Sequence, residues 1–164
     1  MNPYLPQDKY VTARGLRMHY LDWGGDTTKK PLILMHGIGG HAHAFDKFAP
    51  YFVDKYRVFS LDGRGCGDTD WSKEGYSVQS YAADVAVFAQ SIGAYPFDYF
   101  GHSQGSRLGM ALGGYYSNLI DHLVLGDYGP LPDPSPAGRQ TAQDRLVGGT
   151  RLERPRGFFS PEQA

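Results

Sequence analysis

Gly101-His102-Ser103-Gln104-Gly105 is the stretch that decides how this chain is read. An aromatic-rich apolar run, Tyr95 to Phe100, precedes it, and a segment of helical spacing, Arg107 to Tyr116, follows it. Strand, sharp turn and helix with a serine at the apex is the arrangement of a nucleophile elbow. The flanking glycines have a steric role, because a Cβ there would collide with the adjoining strand or helix. Such a turn presents the serine hydroxyl at a helix N-terminus, where backbone N–H groups and the helix dipole favour negative charge. In a chain with 22 glycines the string is weak by itself, so its surroundings must carry the reading.

Those surroundings alternate between strands and helices. Lys9 to Arg14 and Leu16 to Trp23 read as two strands turning at Gly15. Pro31 to Met35 is a short continuous apolar run, the pattern of a strand buried on both faces of a parallel sheet, and Tyr56 to Leu61 reads as the next buried strand. Between them, Phe45, Phe48, Ala49 and Phe52 are spaced for one face of a helix over Ala42 to Phe52. A second helix is predicted over Val78 to Ile92, with Ser77 as its N-cap, and a last strand over Ile120 to Leu125. Strands separated by helices define an α/β fold with a mostly parallel sheet flanked by helices. Three glycine-rich loops, at 36–40, 62–70 and 101–105, each follow a strand and are expected to gather on one edge of the sheet, where ligands bind in such folds. Beyond Pro130 prolines recur and large apolar residues thin out; Thr141 to Val147 is the one short helix expected there.

Composition narrows the function. With 164 residues the chain can bury a sizeable core, and a formal net charge of −1 leaves no electrostatic footprint for nucleic acid or an anionic membrane. One cysteine, Cys66, forbids an intrachain disulfide and reads as a small filler. The N-terminus lacks the basic and apolar regions of a secretory signal, so the expected location is cytoplasmic. The 62–70 loop lacks Gly-Lys-Ser/Thr, which argues against a phosphate loop, and no cofactor is expected.

Taken together, the motifs resemble the α/β-hydrolase fold. His36-Gly37-Ile38-Gly39-Gly40 is similar to that family's oxyanion loop. Asp62 to Thr69 is similar to its Asp-x-Arg-Gly-x-Gly-x-Ser/Thr turn, and residues 101–105 to its elbow. Asp127-Tyr128-Gly129-Pro130 resembles the Asp-x-Gly-Pro that follows the sixth strand in esterase-like and carbon–carbon-bond-hydrolase-like members. The resemblance covers roughly residues 8–130 and implies that 1–130 is the N-terminal part of a hydrolase core truncated after the sixth strand. Residues 131–164 are then the start of a cap or an irregular tail; Ser160-Pro161 looks like the opening of a cap helix.

The same resemblance implies roles. Ser103 is the nucleophile that forms an acyl-enzyme. Ile38 and Gln104 supply the backbone N–H groups of an oxyanion hole; otherwise Gly37, Gly39 and Gly40 merely permit a turn. His36 orders the first loop, and Arg64 with Asp62 and Asp68 scaffolds the second. Asp127 stands where some members carry the triad acid, although that acid more often follows strand seven; the alternative is a cap on the Gly-Pro turn. A base is missing. His19 and His122 read as structural, His102 points away from its neighbour Ser103, and His41 and His43 form at most a His-x-His pair without a third metal ligand. No histidine matches the family's catalytic position, so a second chain or a missing C-terminal segment is expected to supply it with strands seven and eight. Serine rather than aspartate at the elbow argues against dehalogenase or epoxide-hydrolase chemistry. The function implied is hydrolysis of small esters or related acyl compounds; a non-catalytic binding module, or acyl transfer to an acceptor other than water, stays open beside it.

Overall fold

Arg14 and Gly15, with φ of +50° and +73°, turn strand β1 (Gln7–Ala13) back onto β2 (Leu16–Asp22) as an antiparallel hairpin. Left-handed residues at both turn positions match the right-handed twist of the strands they join. In the computed structural model, which describes residues 5–73 and 75–129, four further strands complete the sheet: β3 (Pro31–Met35), β4 (Arg57–Leu61), β5 (Phe97–His102) and β6 (Ile120–Gly126). Their spatial order is β1-β2-β4-β3-β5-β6. The β4–β3, β3–β5 and β5–β6 ladders are parallel and the β1–β2 and β2–β4 ladders antiparallel, which is the mostly parallel sheet expected. All four parallel strands point the same way, so the loops after β3, β4 and β5 emerge at one edge.

The predicted helix over 42–52 is instead two 3-10 turns, Ala42–Phe45 and Ala49–Tyr51. Pro50 has no N–H to continue an α-helix and sits at the start of the second turn. Phe45, Phe48 and Phe52 still share one face and pack against the sheet. Helix α1 (Val78–Ser91) forms as predicted, with the Ser77 hydroxyl accepting the Ser80 N–H, a cap that contributes about 1 kcal/mol. Helix α2 runs from Gln104 to Tyr115, three residues earlier than its apolar spacing suggests. The expectations for Thr141 to Val147, Ser160 and the rest of 131–164 lie outside the described residues.

Both sheet faces are covered. On one, α1 and α2 pack Phe88, Ala89, Leu108 and Leu112 over Ile33, Phe59 and Phe97. On the other, Ala42, Phe45 and Ala49 cover Leu21, Trp23, Leu34 and Val58. Fully buried Phe59, Phe88 and Phe97 each contribute about 1.5–3 kcal/mol. Among the described residues no helix is long and apolar enough to cross a membrane.

Buried charge ties α1 to the second glycine-rich loop. Arg64 of that loop is paired with the Asp84 carboxylate on α1. Its Nε donates to Asp84 Oδ2 at 2.6 Å and its Nη2 to Oδ1 at 2.7 Å, while Nη1 reaches the Gly75 carbonyl. Arg14 of the hairpin turn donates to the same carboxylate at 3.0 Å. Asp84 is 1% exposed. Removing its charge takes this buried carboxylate from two guanidinium groups, so D84N is expected to destabilise the fold by about 3–5 kcal/mol in urea unfolding.

Candidate active site

Ser103 sits between β5 and α2 with φ +51° and ψ −109°. That region is disfavoured for a residue with a Cβ, by about 1–3 kcal/mol, and persists only where the surroundings enforce it. They do so here. The Ser103 N–H donates to the Gly126 carbonyl at 2.8 Å, extending the β5–β6 ladder by one bond. A Cβ on Gly101 would overlap the Gly105 carbonyl, and one on Gly105 would overlap the Met35 carbonyl. The helix therefore begins directly against the ends of two strands. The Ser103 side chain makes no capping bond to α2. Gln104, the first residue of α2, carries one of the N–H groups that have no acceptor within a helix.

The first glycine-rich loop leans on this apex. A Cβ on Gly37 would lie 3.2 Å from both Ser103 Cβ and His102 Nδ1. Residues 37–40 form a tight turn closed by the Gly40 N–H on the Gly37 carbonyl at 3.1 Å, with Gly39 at φ +70°. Ile38 stands at its tip, 83% exposed. His36 holds the turn from below. Its Nε2 accepts the Gly63 N–H at 3.1 Å, which places the proton on Nδ1, and Nδ1 donates to the Gly37 carbonyl at 2.7 Å. Burial lowers the His36 pKa and outweighs the opposing effect of the Gly37 carbonyl, keeping the ring in this neutral tautomer.

Asp62 joins the second loop to the first. Its Oδ1 accepts the Ala42 N–H at 2.5 Å, and its Oδ2 accepts the Asp68 N–H at 2.8 Å and faces His19 Nδ1 at 2.7 Å. His19 in turn faces Asp8 at 3.1 Å through Nε2. The Thr69 hydroxyl donates to the Asp62 carbonyl and accepts the His19 N–H. These bonds connect β2, the second glycine-rich loop and the start of the first 3-10 turn through Asp62. Cys66 is partly covered, and desolvation pushes its thiol pKa up, away from the reactive thiolate.

Asp127 follows Gly126 directly, is exposed, and has φ +67°. Its neighbour Tyr128 lies under the Arg107 guanidinium, 5.7 Å from ring centroid to Cζ. The chain thus leaves β6 beside the elbow and bends back over α2. The histidines are dispersed. His122 pairs with Asp98 at 2.9 Å near the start of β5, and five residues of strand put Ser103 about 16 Å away. His41 and His43 meet edge to face at 5.9 Å, and His43 binds Asp46 at 3.0 Å. His102 is exposed at the end of β5. Among the described residues no histidine is hydrogen-bonded to Ser103, and no group of three or more metal-ligating side chains occurs.

Sequence reasoning missed three contributors. Ser106, fully buried, places its hydroxyl 2.6 Å from the Gly101 carbonyl and 2.9 Å from that of Gly126. Tyr99, also fully buried, donates to the Gly105 carbonyl at 2.8 Å. Asp84 anchors Arg64. Each acts through a partner distant in the sequence or through backbone geometry, so no local pattern announces it.

The sequence pattern described as "alpha/beta hydrolase fold" matches residues 30–148, and the chain belongs to that family. It is similar to the 3-hydroxybutyrate-oligomer hydrolase of Cupriavidus necator, 31% identical over 141 residues that cover 84% of this chain and 48% of the relative. It also resembles the N-formylmaleamate deformylase of Pseudomonas putida, 31% identical over 137 residues covering 83% and 49% of the two chains. A solved alpha/beta hydrolase from Novosphingobium aromaticivorans superposes with a TM-score of 0.70 at 30% identity, over 76% of this chain and 45% of that one. The chain spans about half the length of the curated relatives it matches.

His36 gives the loop architecture a pH dependence. A pKa held below its unfolded value of about 6.5 means that the unfolded chain binds the extra proton first. Stability from neutral His36 is therefore fully present above about pH 6.5 and is lost as the pH falls from there through the lowered folded value. Urea midpoints taken from pH 7.5 to 5.5 are expected to fall with pH in the wild type, and H36N is expected to be less stable throughout but with a shallower slope.

Proposed function

We propose that the protein containing this chain is a serine hydrolase acting on esters or related acyl compounds. The observation that carries this reading is Ser103 held at φ +51° at the start of α2 with the Gly37-Ile38 turn packed against it. Ser103 Oγ attacks the acyl carbon, its proton passes to a base, and the carbonyl oxygen becomes an oxyanion. Backbone N–H groups of Ile38 and Gln104 receive that charge; removing one comparable donor in other enzymes costs about 2.7–4 kcal/mol. The leaving alcohol takes the proton, and water then releases the acid from the acyl-enzyme. Asp127, beside the elbow, is the candidate acid within this chain.

The base comes from outside the described residues, from a C-terminal segment or a second chain. Two features support a missing complement. The outer edge of β6 pairs with no described strand, and unpaired edges invite another strand. Beside it lies a cavity of about 820 Å³ lined by Phe48, Phe52, Tyr56, Phe100 and Val124, the last 54% exposed. None of the Ser103 loops lines that cavity, so it suits a packing partner better than a substrate. The dispersed histidines favour a second reading, in which the chain alone is a non-catalytic binding module. Transfer of the acyl group to an acceptor other than water uses the same nucleophile and differs only in product.

A fluorophosphonate probe discriminates. With the segment carrying the base present, the probe is expected to label the wild type and not S103A, as read by intact-protein mass. Absence of wild-type labelling in that assembly would sink the hydrolase reading.

A further inference from the structure

Three oxygens and one nitrogen beneath the elbow form an arrangement that the proposed reaction leaves unexplained. The Gly126 carbonyl accepts the Ser103 N–H at 2.8 Å and also lies 2.9 Å from the Ser106 hydroxyl. The same hydroxyl is 2.6 Å from the Gly101 carbonyl. A hydroxyl has one proton, so the two carbonyls converge on it in a three-centre bond. Ser106 belongs to the first turn of α2, Gly101 to β5 and Gly126 to β6. One buried side chain therefore joins the helix to both strand ends immediately beneath the elbow.

The Gly126 carbonyl oxygen belongs to the peptide plane that Gly126 shares with Asp127. Fixing that oxygen from two donors fixes the plane, and with it the point from which Asp127 departs at φ +67°. The Ser103 N–H is one of those donors. We infer that Ser106 is a positioning residue: through the Gly126 carbonyl it sets Ser103 and Asp127 relative to each other. Alanine would fit the space, so packing alone does not require a serine there. What alanine lacks is the donor, and its loss would leave the Gly101 carbonyl without this partner and the Gly126 plane held by Ser103 alone. The functional meaning of this link rests on Ser103 being the nucleophile, whereas the link itself is open to measurement without catalysis.

The test compares S106A with V85A, a core truncation in α1 remote from the elbow, both in the full chain. Amide hydrogen exchange read residue by residue is expected to accelerate at Ser103 in S106A, on the order of tenfold beyond any change in the β1–β2 hairpin, and the Asp127 amide resonance is expected to shift with it. V85A is expected to lower the melting temperature without that local signature. In the assembly with the base present, S106A should also slow fluorophosphonate labelling of Ser103 by about tenfold to a hundredfold. If S106A fails to fold, S106C, close in shape with only a weak donor, carries the same comparison. Exchange at Ser103 that merely tracks V85A, or an Asp127 amide resonance unmoved by S106A, overturns the inference. Failure of the wild type to label, with the exchange signature present, counts against the nucleophile and leaves the structural link standing.

Discussion

Helix α2 meets the ends of β3 and β5 at backbone contact distance because Gly101 and Gly105 have no side chains. That approach forces the chain through a single left-handed residue, Ser103, between strand and helix. A Cβ at Gly101 would push against the backbone of the first turn of α2, and one at Gly105 against the Met35 carbonyl at the end of β3. The site follows from this contact. It sets the direction of α2, aims its first N–H groups at the sheet edge, and brings the Gly37 turn against the serine. A strained residue of this kind is stable only in a rigid frame, and the large fully buried side chains beneath it, Tyr99, Phe97, Leu108 and Leu112, provide one.

The loops that surround Ser103 are irregular, yet their buried polar groups are extensively paired. His36 bridges Gly63 to Gly37, Asp62 collects two backbone N–H groups and faces His19, and Asp84 takes two arginines. In a low-dielectric interior such groups are costly when unpaired and rigidifying when satisfied. The network therefore fixes loop shape more than it adds net stability. Its members come from β2, the β1–β2 turn, α1 and the first two glycine-rich loops, so those loops are tied directly to the scaffold.

Much of this is written locally in the sequence. The continuous apolar run at 31–35 is a buried strand, as is the segment expected to follow it at 57–61, and glycine spacing marks the three loops whose convergence the parallel sheet then enforces. What was illegible depends on distance or on backbone chemistry. Arg64 finds Asp84 twenty residues away, because α1 crosses the loop. Apolar spacing over 42–52 reads as a helix, but Pro50 breaks it into two turns that keep the same buried face. Ser106 resembles any serine in a small-residue helix until the strand ends are seen to lie beneath it. Under the proposed reading the base lies outside the described residues, and the chain covers about half of the length of its relatives.

The geometry makes one claim that a covalent adduct tests most directly, namely that Ser103, Ile38 and Gln104 surround a single reacting centre. A crystal structure determined after reaction of the assembled protein with an alkyl fluorophosphonate shows where the phosphoryl oxygen goes. The account predicts phosphorus bonded to Ser103 Oγ and that oxygen about 2.7–3.1 Å from the backbone nitrogens of Ile38 and Gln104. A phosphoryl oxygen turned to solvent, or an adduct on another residue, would contradict it.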